Sequence, residues 1–107
     1  MEMSGCSGSE PYALQVLGDS MEPEFPDKCI VVIDPVNTAG NGDYAIVEYD
    51  DVRWLRQFVV DEDGSKRLVA LNDLYPEIEL TGSYSILGVV VQRNVRRKIK
   101  HYNPQFG

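Results

Sequence analysis

A serine in a predicted tight turn, Ser20, is the residue of this chain whose neighbours best equip it for chemistry. The turn lies between two apolar runs of β type, residues 12–17 and 28–33. Gly18 frees the backbone for a tight turn, and Asp19 stabilises such turns by hydrogen bonding to its own backbone. Ser20 would then stand at a strand end among amide N–H groups, as a serine nucleophile with oxyanion donors does. A turn without catalysis is the alternative interpretation.

The usual partners of a serine nucleophile are scarce in this sequence. The single histidine, His101, lies near the C-terminal end, which leaves no convincing Ser-His-Asp triad. The two cysteines, Cys6 and Cys29, do not look like a disulfide framework or a zinc site. The acidic clusters at 50–51 and 61–63 lack calcium-loop spacing, and no glycine-rich phosphate loop follows an apolar run. The sequence therefore predicts no metal and no cofactor.

Length and composition indicate one globular domain. The chain has 107 residues, of which 43% are hydrophobic. No apolar run reaches the roughly 20 residues of a membrane span, and the N-terminal residues lack a signal sequence. We therefore expect a cytoplasmic protein without membrane contact. Residues 1–11 are predicted to be a disordered leader, residues 12–102 the folded domain and residues 103–107 a tail.

Charge is segregated along the chain. Residues 1–92 contain all seventeen acidic and five basic residues, whereas residues 93–107 contain five basic residues, and the net charge is −7. An acidic body repels nucleic acid, so nucleic-acid binding is not expected. We expect the basic end to lie against the acidic body or a partner, and a weak phosphate contact is the alternative.

Short runs rich in β-branched and aromatic residues predict six strands, separated by turn-forming residues. The runs are residues 12–17, 28–33, 44–49, 52–60, 66–71 and 84–92. Residues 50–51 and 61–64 predict two tight hairpins. No segment has a helical period over ten residues, so a mainly β domain with little helix and no helix-turn-helix is expected.

Four motifs, in order along the chain, resemble the catalytic domain of LexA-like self-cleaving repressors, which shares its fold with bacterial signal peptidases. Residues 18–23 resemble the Gly-x-Ser-Met turn that carries the nucleophile, and residues 42–47 the Gly-Asp opening of the next strand. Residues 72–78 are similar to an Asn-x-x-Tyr-x-x-Ile segment, and residues 86–91 to a closing Gly-x-Val strand. The resemblance implies a twisted, partly barrel-like β domain with Ser20 at the nucleophile position.

Roles for the neighbours of Ser20 also follow from the resemblance. Gly18, Asp19 and Met21 are the expected turn and oxyanion residues. Met21 lines a substrate cleft or fills the core, and these two interpretations stay open. Trp54 and Tyr75 are expected in the core, with binding of peptide side chains as the alternative.

The family's general base is a buried lysine that takes the serine proton. The matching position here is Arg56. A guanidinium keeps its proton at physiological pH, so Arg56 cannot act as that base, although it can donate hydrogen bonds to Ser20 or to a bound carboxylate. The predicted hairpin sets Arg56 opposite Val69, which directs Lys66 to the other face of the sheet and argues against its acting as a substitute.

Two classes of function follow. The first is a peptidase-family domain with weak or no proteolysis, serving as a dimerisation or peptide-binding module, and Arg56 favours it. The second is an active serine endopeptidase in an SOS-type stress response or in repressor processing, and the intact serine turn favours it.

Partners are expected from the same resemblance. Self-cleavage is not expected, since only nineteen residues precede Ser20 and the Ala39-Gly40 pair lies downstream in a predicted loop. LexA-like domains dimerise through their C-terminal region, so a homodimer through the C-terminal strand is expected. The apolar run Val89–Val91 is then either a central strand or an edge that pairs with a second subunit.

Overall fold

Eight β-strands and no helix make up the regular structure of residues 10–104, the part of the chain that the computed structural model describes. They are β1 (Tyr12–Gln15), β2 (Ile30–Asp34), β3 (Tyr44–Tyr49), β4 (Val52–Val60), β5 (Lys66–Val69), β6 (Ile78–Glu79), β7 (Ser85–Val95) and β8 (Lys98–His101). No helix in this part of the chain is long and apolar enough to cross a membrane. Most of the predicted leader and the end of the predicted tail lie outside the described residues.

All strands pair antiparallel in one sheet of order β1-β2-β7-β3-β4-β5-β6, and β8 pairs with β7. The mainly β prediction is confirmed. The sheet does not close into a barrel, because its outermost strands, β1 and β6, do not pair with each other. The run Val89–Val91 lies in β7, between β2 and β3, so it is a central strand and not an edge.

The predicted register of the β4–β5 hairpin is wrong by one residue. Gln57, and not Arg56, pairs with Val69, so Lys66 pairs with Val60. Paired residues share a face, and residues four apart on a strand do too, so Lys66 lies on the same face as Arg56. Four residues of strand nevertheless separate them by about 13 Å. Distance, rather than the opposite face, keeps Lys66 away from Arg56.

Turns with two left-handed residues close two hairpins. Asp50 (φ 55°) and Asp51 (φ 63°) join β3 to β4, as predicted, and Arg96 (φ 49°) and Arg97 (φ 71°) join β7 to β8. Such turns match the right-handed twist of antiparallel strands. The sequence did not predict β8, because all its side chains are exposed and show no apolar alternation.

Apolar residues of the central strands pack on both faces of the sheet. In β7, Val90 belongs to one buried cluster, with Met21 and Phe25, and Val89 belongs to the other, with Phe58. This arrangement buries both faces of β7 and fixes the position of the loop that contains Ser20, because Met21 and Phe25 come from that loop and are 1% and 0% exposed.

Glu24 holds the basic C-terminal hairpin against the acidic body. Its Oε2 accepts hydrogen bonds from Lys100 Nζ (2.7 Å) and Tyr102 OH (2.6 Å) and lies 3.5 Å from Arg93 Nη1. Burial by itself raises the pKa of Glu24, but the hydrogen bonds from Lys100 and Tyr102 and the charges of Lys100 and Arg93 outweigh it, so the pKa lies below its ordinary value. The expectation that the basic end lies against the body is confirmed at this contact.

Candidate active site

Ser20 lies in the loop that connects β1 to β2. Backbone hydrogen bonds between Val16 and Cys29 (2.8 Å) and between Lys28 and Val16 (2.6 Å) close the base of this loop. Gly18 adopts φ +94°, which is the conformation that favours glycine, and its amide donates to Asp27 Oδ1 at 2.7 Å. The loop is thereby tied at its base and at its glycine, and Ser20 follows directly.

A second segment, residues 72–75, clamps the serine turn from the other side. The Asn72 backbone amide donates to the Ser20 carbonyl at 3.0 Å, and Asn72 Nδ2 donates to the Asp19 carbonyl at 3.2 Å. The Tyr75 hydroxyl donates to Asp19 Oδ1 at 2.5 Å, and this hydrogen bond, together with the charge of Asp19, raises the pKa of Tyr75. The Asp19 carboxylate was expected to bond to its own backbone. It bonds instead to Tyr75.

Arg56, on β4, reaches Ser20 directly. Arg56 Nη1 donates to Ser20 Oγ at 3.0 Å and to the Leu55 carbonyl at 2.9 Å. The guanidinium carbon lies 5.1 Å from the centroid of the Trp54 ring and 5.8 Å from that of Tyr75. Both distances are within the range of cation–π attraction, so two rings and one hydroxyl hold the side chain in place.

The Arg56 guanidinium is buried without a counter-charge. The residue is 8% exposed, no carboxylate of residues 10–104 lies within 4 Å of it, and its Nε has no hydrogen-bond partner there. Burial lowers the pKa of Arg56, with a smaller opposing effect of Tyr75, yet an arginine side chain stays protonated in proteins. The site therefore contains a fixed positive charge beside the serine hydroxyl.

A cleft of about 500 Å³ opens at Ser20 and Arg56. One side is formed by β1 and the residues that follow it, and the other side by residues 53–56 of β4. The apolar residues of the lining include Val16, Leu17, Met21, Ile46, Leu55 and Leu87. Both interpretations of Met21 thus hold, since it lines the cleft and is buried in the core. The cleft has the dimensions and lining of a site for an extended apolar segment.

Comparison with known proteins identifies the family of this arrangement. A family model described as peptidase S24-like matches residues 3–91. The chain belongs to the peptidase S24-like family. This membership confirms the resemblance to LexA-like repressor domains on which Ser20 and Arg56 were assigned their positions.

Relatives of this S24-like domain include transcriptional regulators. The chain is 34% identical over 98 residues to the HTH-type transcriptional regulator for conjugative element SXT of Vibrio cholerae. It is 35% identical over 96 residues to prophage repressor CohE of Escherichia coli K12, and 35% identical over 92 residues to repressor protein C2 of Salmonella phage P22. The alignments cover 85%, 87% and 80% of this chain but 45%, 43% and 42% of the relatives. The chain spans less than half the length of these curated relatives.

None of the four lysines lines the cleft of the S24-like domain. Lys28 and Lys98 line a separate cavity at β2 and β7, Lys66 lies beside Val60, and Lys100 pairs with Glu24. The residue that reaches the serine is Arg56. Among residues 10–104, no lysine amine stands where it could take the Ser20 proton.

The backbone around Ser20 supplies donors. The Gly18 amide is engaged by Asp27, whereas the Ser20 and Met21 amides donate to no acceptor within residues 10–104. Two adjacent amides therefore remain as donors for a ligand oxygen.

Sequence reasoning found Ser20 and Arg56 but missed how three other residues contribute. Trp54 and Tyr75 were expected in the core, but Tyr75 is 37% exposed, so that prediction is wrong for Tyr75. Trp54 differs in another way. It packs partly against the second cluster, and it also lines the cleft and stacks on Arg56. Asn72 and Tyr75 were recognised as a motif, yet their clamp on the serine turn was not inferred. The three-residue spacing of Asn72 and Tyr75 was the available signal.

Proposed function

We propose that this domain is a peptide-binding module of the S24-like family that hydrolyses peptides weakly or not at all. The observation that carries the proposal is the hydrogen bond from Arg56 Nη1 to Ser20 Oγ at 3.0 Å. Because Arg56 donates this bond and stays protonated, it cannot accept the serine proton. General-base assistance typically contributes about 10²–10⁴ in rate, and this assistance is missing at Ser20.

An extended peptide is the ligand that the cleft favours. The outer edge of β1 pairs with no strand of residues 10–104, and its exposed residues carry no charge. Tyr12 and Leu14 of β1 lie on the lining of the cleft. A peptide strand that added to this edge would gain main-chain hydrogen bonds and place alternate side chains in the apolar cleft. The names of the relatives favour a regulatory setting for such binding.

Serine hydrolysis remains the competing function, favoured by the intact turn and by the two amides at Ser20 and Met21. An irreversible fluorophosphonate probe, applied at neutral pH, distinguishes peptide binding without hydrolysis from serine hydrolysis. After prolonged incubation, we expect the wild-type chain to be labelled less than stoichiometrically and no more than the Ser20→Ala variant. Rapid stoichiometric labelling that Ser20→Ala abolishes would establish a reactive serine and overturn the proposal.

The family resemblance also leads us to propose a homodimer through β8. The outer edge of β8 pairs with no strand of the described chain, and Ile99 on it is 55% exposed. Sedimentation equilibrium tests this: a dimer that Ile99→Asp converts to a monomer supports it, and a wild-type monomer at high protein concentration refutes it.

A further inference from the structure

We propose that the Ser20–Arg56 end of the cleft binds the terminal carboxylate of an apolar peptide. The proposal rests on the peptide-binding function above and names the chemistry of its ligand. Three observations carry it: an unpaired buried cation, a pair of donors beside it, and the apolar lining of the cleft.

The first observation concerns charge. Arg56 is more than nine-tenths buried, and no carboxylate of residues 10–104 pairs with it. Three other arginines, by contrast, each have a carboxylate within 4 Å: Arg53, Arg67 and Arg93. A buried charge without a partner is unfavourable, and an anionic ligand removes that cost. A ligand group with one negative charge would neutralise this one unpaired cation.

The second observation concerns hydrogen-bond donors. Arg56 Nη1 is engaged by Ser20 Oγ and the Leu55 carbonyl, whereas Nη2 makes no hydrogen bond within residues 10–104. Because Ser20 Oγ accepts from Arg56, its own O–H is available to donate. A carboxylate has two oxygens and accepts from both groups, and both bonds are charge-assisted. A neutral amide carbonyl offers one oxygen and no charge.

The third observation concerns the rest of the ligand. The lining of the cleft of about 500 Å³ includes Met21, Leu55 and Leu87, which suit aliphatic side chains. The chain carries a net charge of −7, which repels polyanions such as nucleic acid more strongly than a group with a single negative charge. A peptide with an aliphatic C-terminal residue combines these properties.

Trp54 provides the readout, since it is the only tryptophan of the chain and lies on the cleft beside Arg56. We would titrate the protein with three acetylated tetrapeptides: Ala-Ala-Ala-Leu with a free carboxylate, the same peptide as its amide, and Ala-Ala-Glu-Leu as its amide. The free acid is expected to bind about tenfold or more tightly than its amide. A preference for the glutamate-containing amide over the free acid would assign the site to an acidic side chain and overturn the terminal-carboxylate proposal.

Matched variants test which residue is responsible for the preference for the free acid over its amide. Arg56→Gln removes the cation and should bind acid and amide equally, whereas Arg97→Gln removes an exposed cation in the turn between β7 and β8, outside the cleft, and should keep the preference. Ser20→Ala keeps the cation and should retain part of the preference for the free acid. If Arg56→Gln does not fold, Ser20→Ala and Arg97→Gln still decide: a reduced acid–amide ratio in Ser20→Ala with an unchanged ratio in Arg97→Gln supports the assignment, and an unchanged ratio in Ser20→Ala or a lost ratio in Arg97→Gln refutes it.

The possible failures are distinguishable. Equal binding of acid and amide to the wild-type chain refutes the carboxylate site and leaves peptide binding standing. Binding of neither peptide refutes both. Cleavage of an internal peptide bond refutes the proposed lack of hydrolysis, and the acid–amide ratio measured in Ser20→Ala still tests the carboxylate site.

Discussion

The Tyr75 hydroxyl donates a hydrogen bond to Asp19 Oδ1, joining positions 56 residues apart. Asn72 reinforces the contact through the carbonyls of Asp19 and Ser20. The serine turn is therefore held by a segment far from it in sequence, and the same Tyr75 ring lies over Arg56. The contacts of residues 72–75 therefore help to hold both Ser20 and Arg56 in position.

Replacing Tyr75 by phenylalanine should loosen the serine turn without unfolding the sheet. The ring that covers Arg56 is kept, and only the hydroxyl that holds Asp19 is lost. We expect faster amide hydrogen exchange, measured by NMR, at Glu22 and Asn72, whose amides donate to the Asp19 and Ser20 carbonyls. Tyr49→Phe is the matched control, because it removes a tyrosine hydroxyl that bonds to Thr81 and should leave exchange at Asn72 unchanged. Unchanged exchange in Tyr75→Phe would contradict the clamp.

Replacing Arg56 by lysine should install the missing base. Burial beside two rings is expected to lower the pKa of that lysine below its ordinary value, because the charged amine is desolvated. Fluorophosphonate labelling of Ser20 should then rise with pH as the amine loses its proton, by about 10²-fold over wild type. Arg97→Lys, exposed in the turn between β7 and β8 and outside the cleft, should have no effect. Equal labelling of wild type and Arg56→Lys, with Ser20→Ala left unlabelled, would mean that arginine is no obstacle.

The contact between Glu24 and the C-terminal hairpin should make stability depend on acid pH. The pKa of Glu24 is lowered in the folded state, so its contribution is present above the unfolded pKa of about 4.3 and is lost as the pH falls through the lower folded value. At pH 7, Glu24→Gln should lower the free energy of unfolding by about 1–3 kcal/mol, and this difference should shrink at acid pH. Urea titrations across pH measure it.

The control for this contact is Glu48→Gln, whose partner Arg53 is largely exposed. That change should cost less than about 0.5 kcal/mol, since exposed ion pairs contribute little. Equal losses in Glu24→Gln and Glu48→Gln would show that the hairpin is not held at Glu24.

Gly88 is expected to be intolerant of any side chain. A Cβ there would lie 2.4 Å from Ile33 Cγ2 and 2.8 Å from the Asp34 carbonyl, and the second of these is backbone that cannot move aside. Gly88→Ala should therefore lower the free energy of unfolding by about 1–3 kcal/mol in urea denaturation. A loss below about 0.5 kcal/mol would show that β7 can shift away from β2.

Sequence alone determined the features that depend on residues close together in the chain or on a single side chain. Residues 44–49 and 52–60 were predicted with the bounds of β3 and β4, because alternation and turn residues act over a few positions. The Asp50-Asp51 turn and the family's serine turn were recognised for the same reason. The identity of Arg56 already ruled out a general base there, since that property belongs to the guanidinium itself.

Tertiary structure decided everything that depends on which distant segments meet. The one-residue error in the β4–β5 register could not be resolved locally, because period-two patterns fit either register until the sheet packs. The same holds for the clamp of Tyr75 on Asp19 and for the contact of Glu24 with Lys100, which joins positions 76 residues apart. Above all, the sequence named Arg56, but only packing buried it beside Ser20 without a carboxylate, because burial and pairing are properties of neighbours in space.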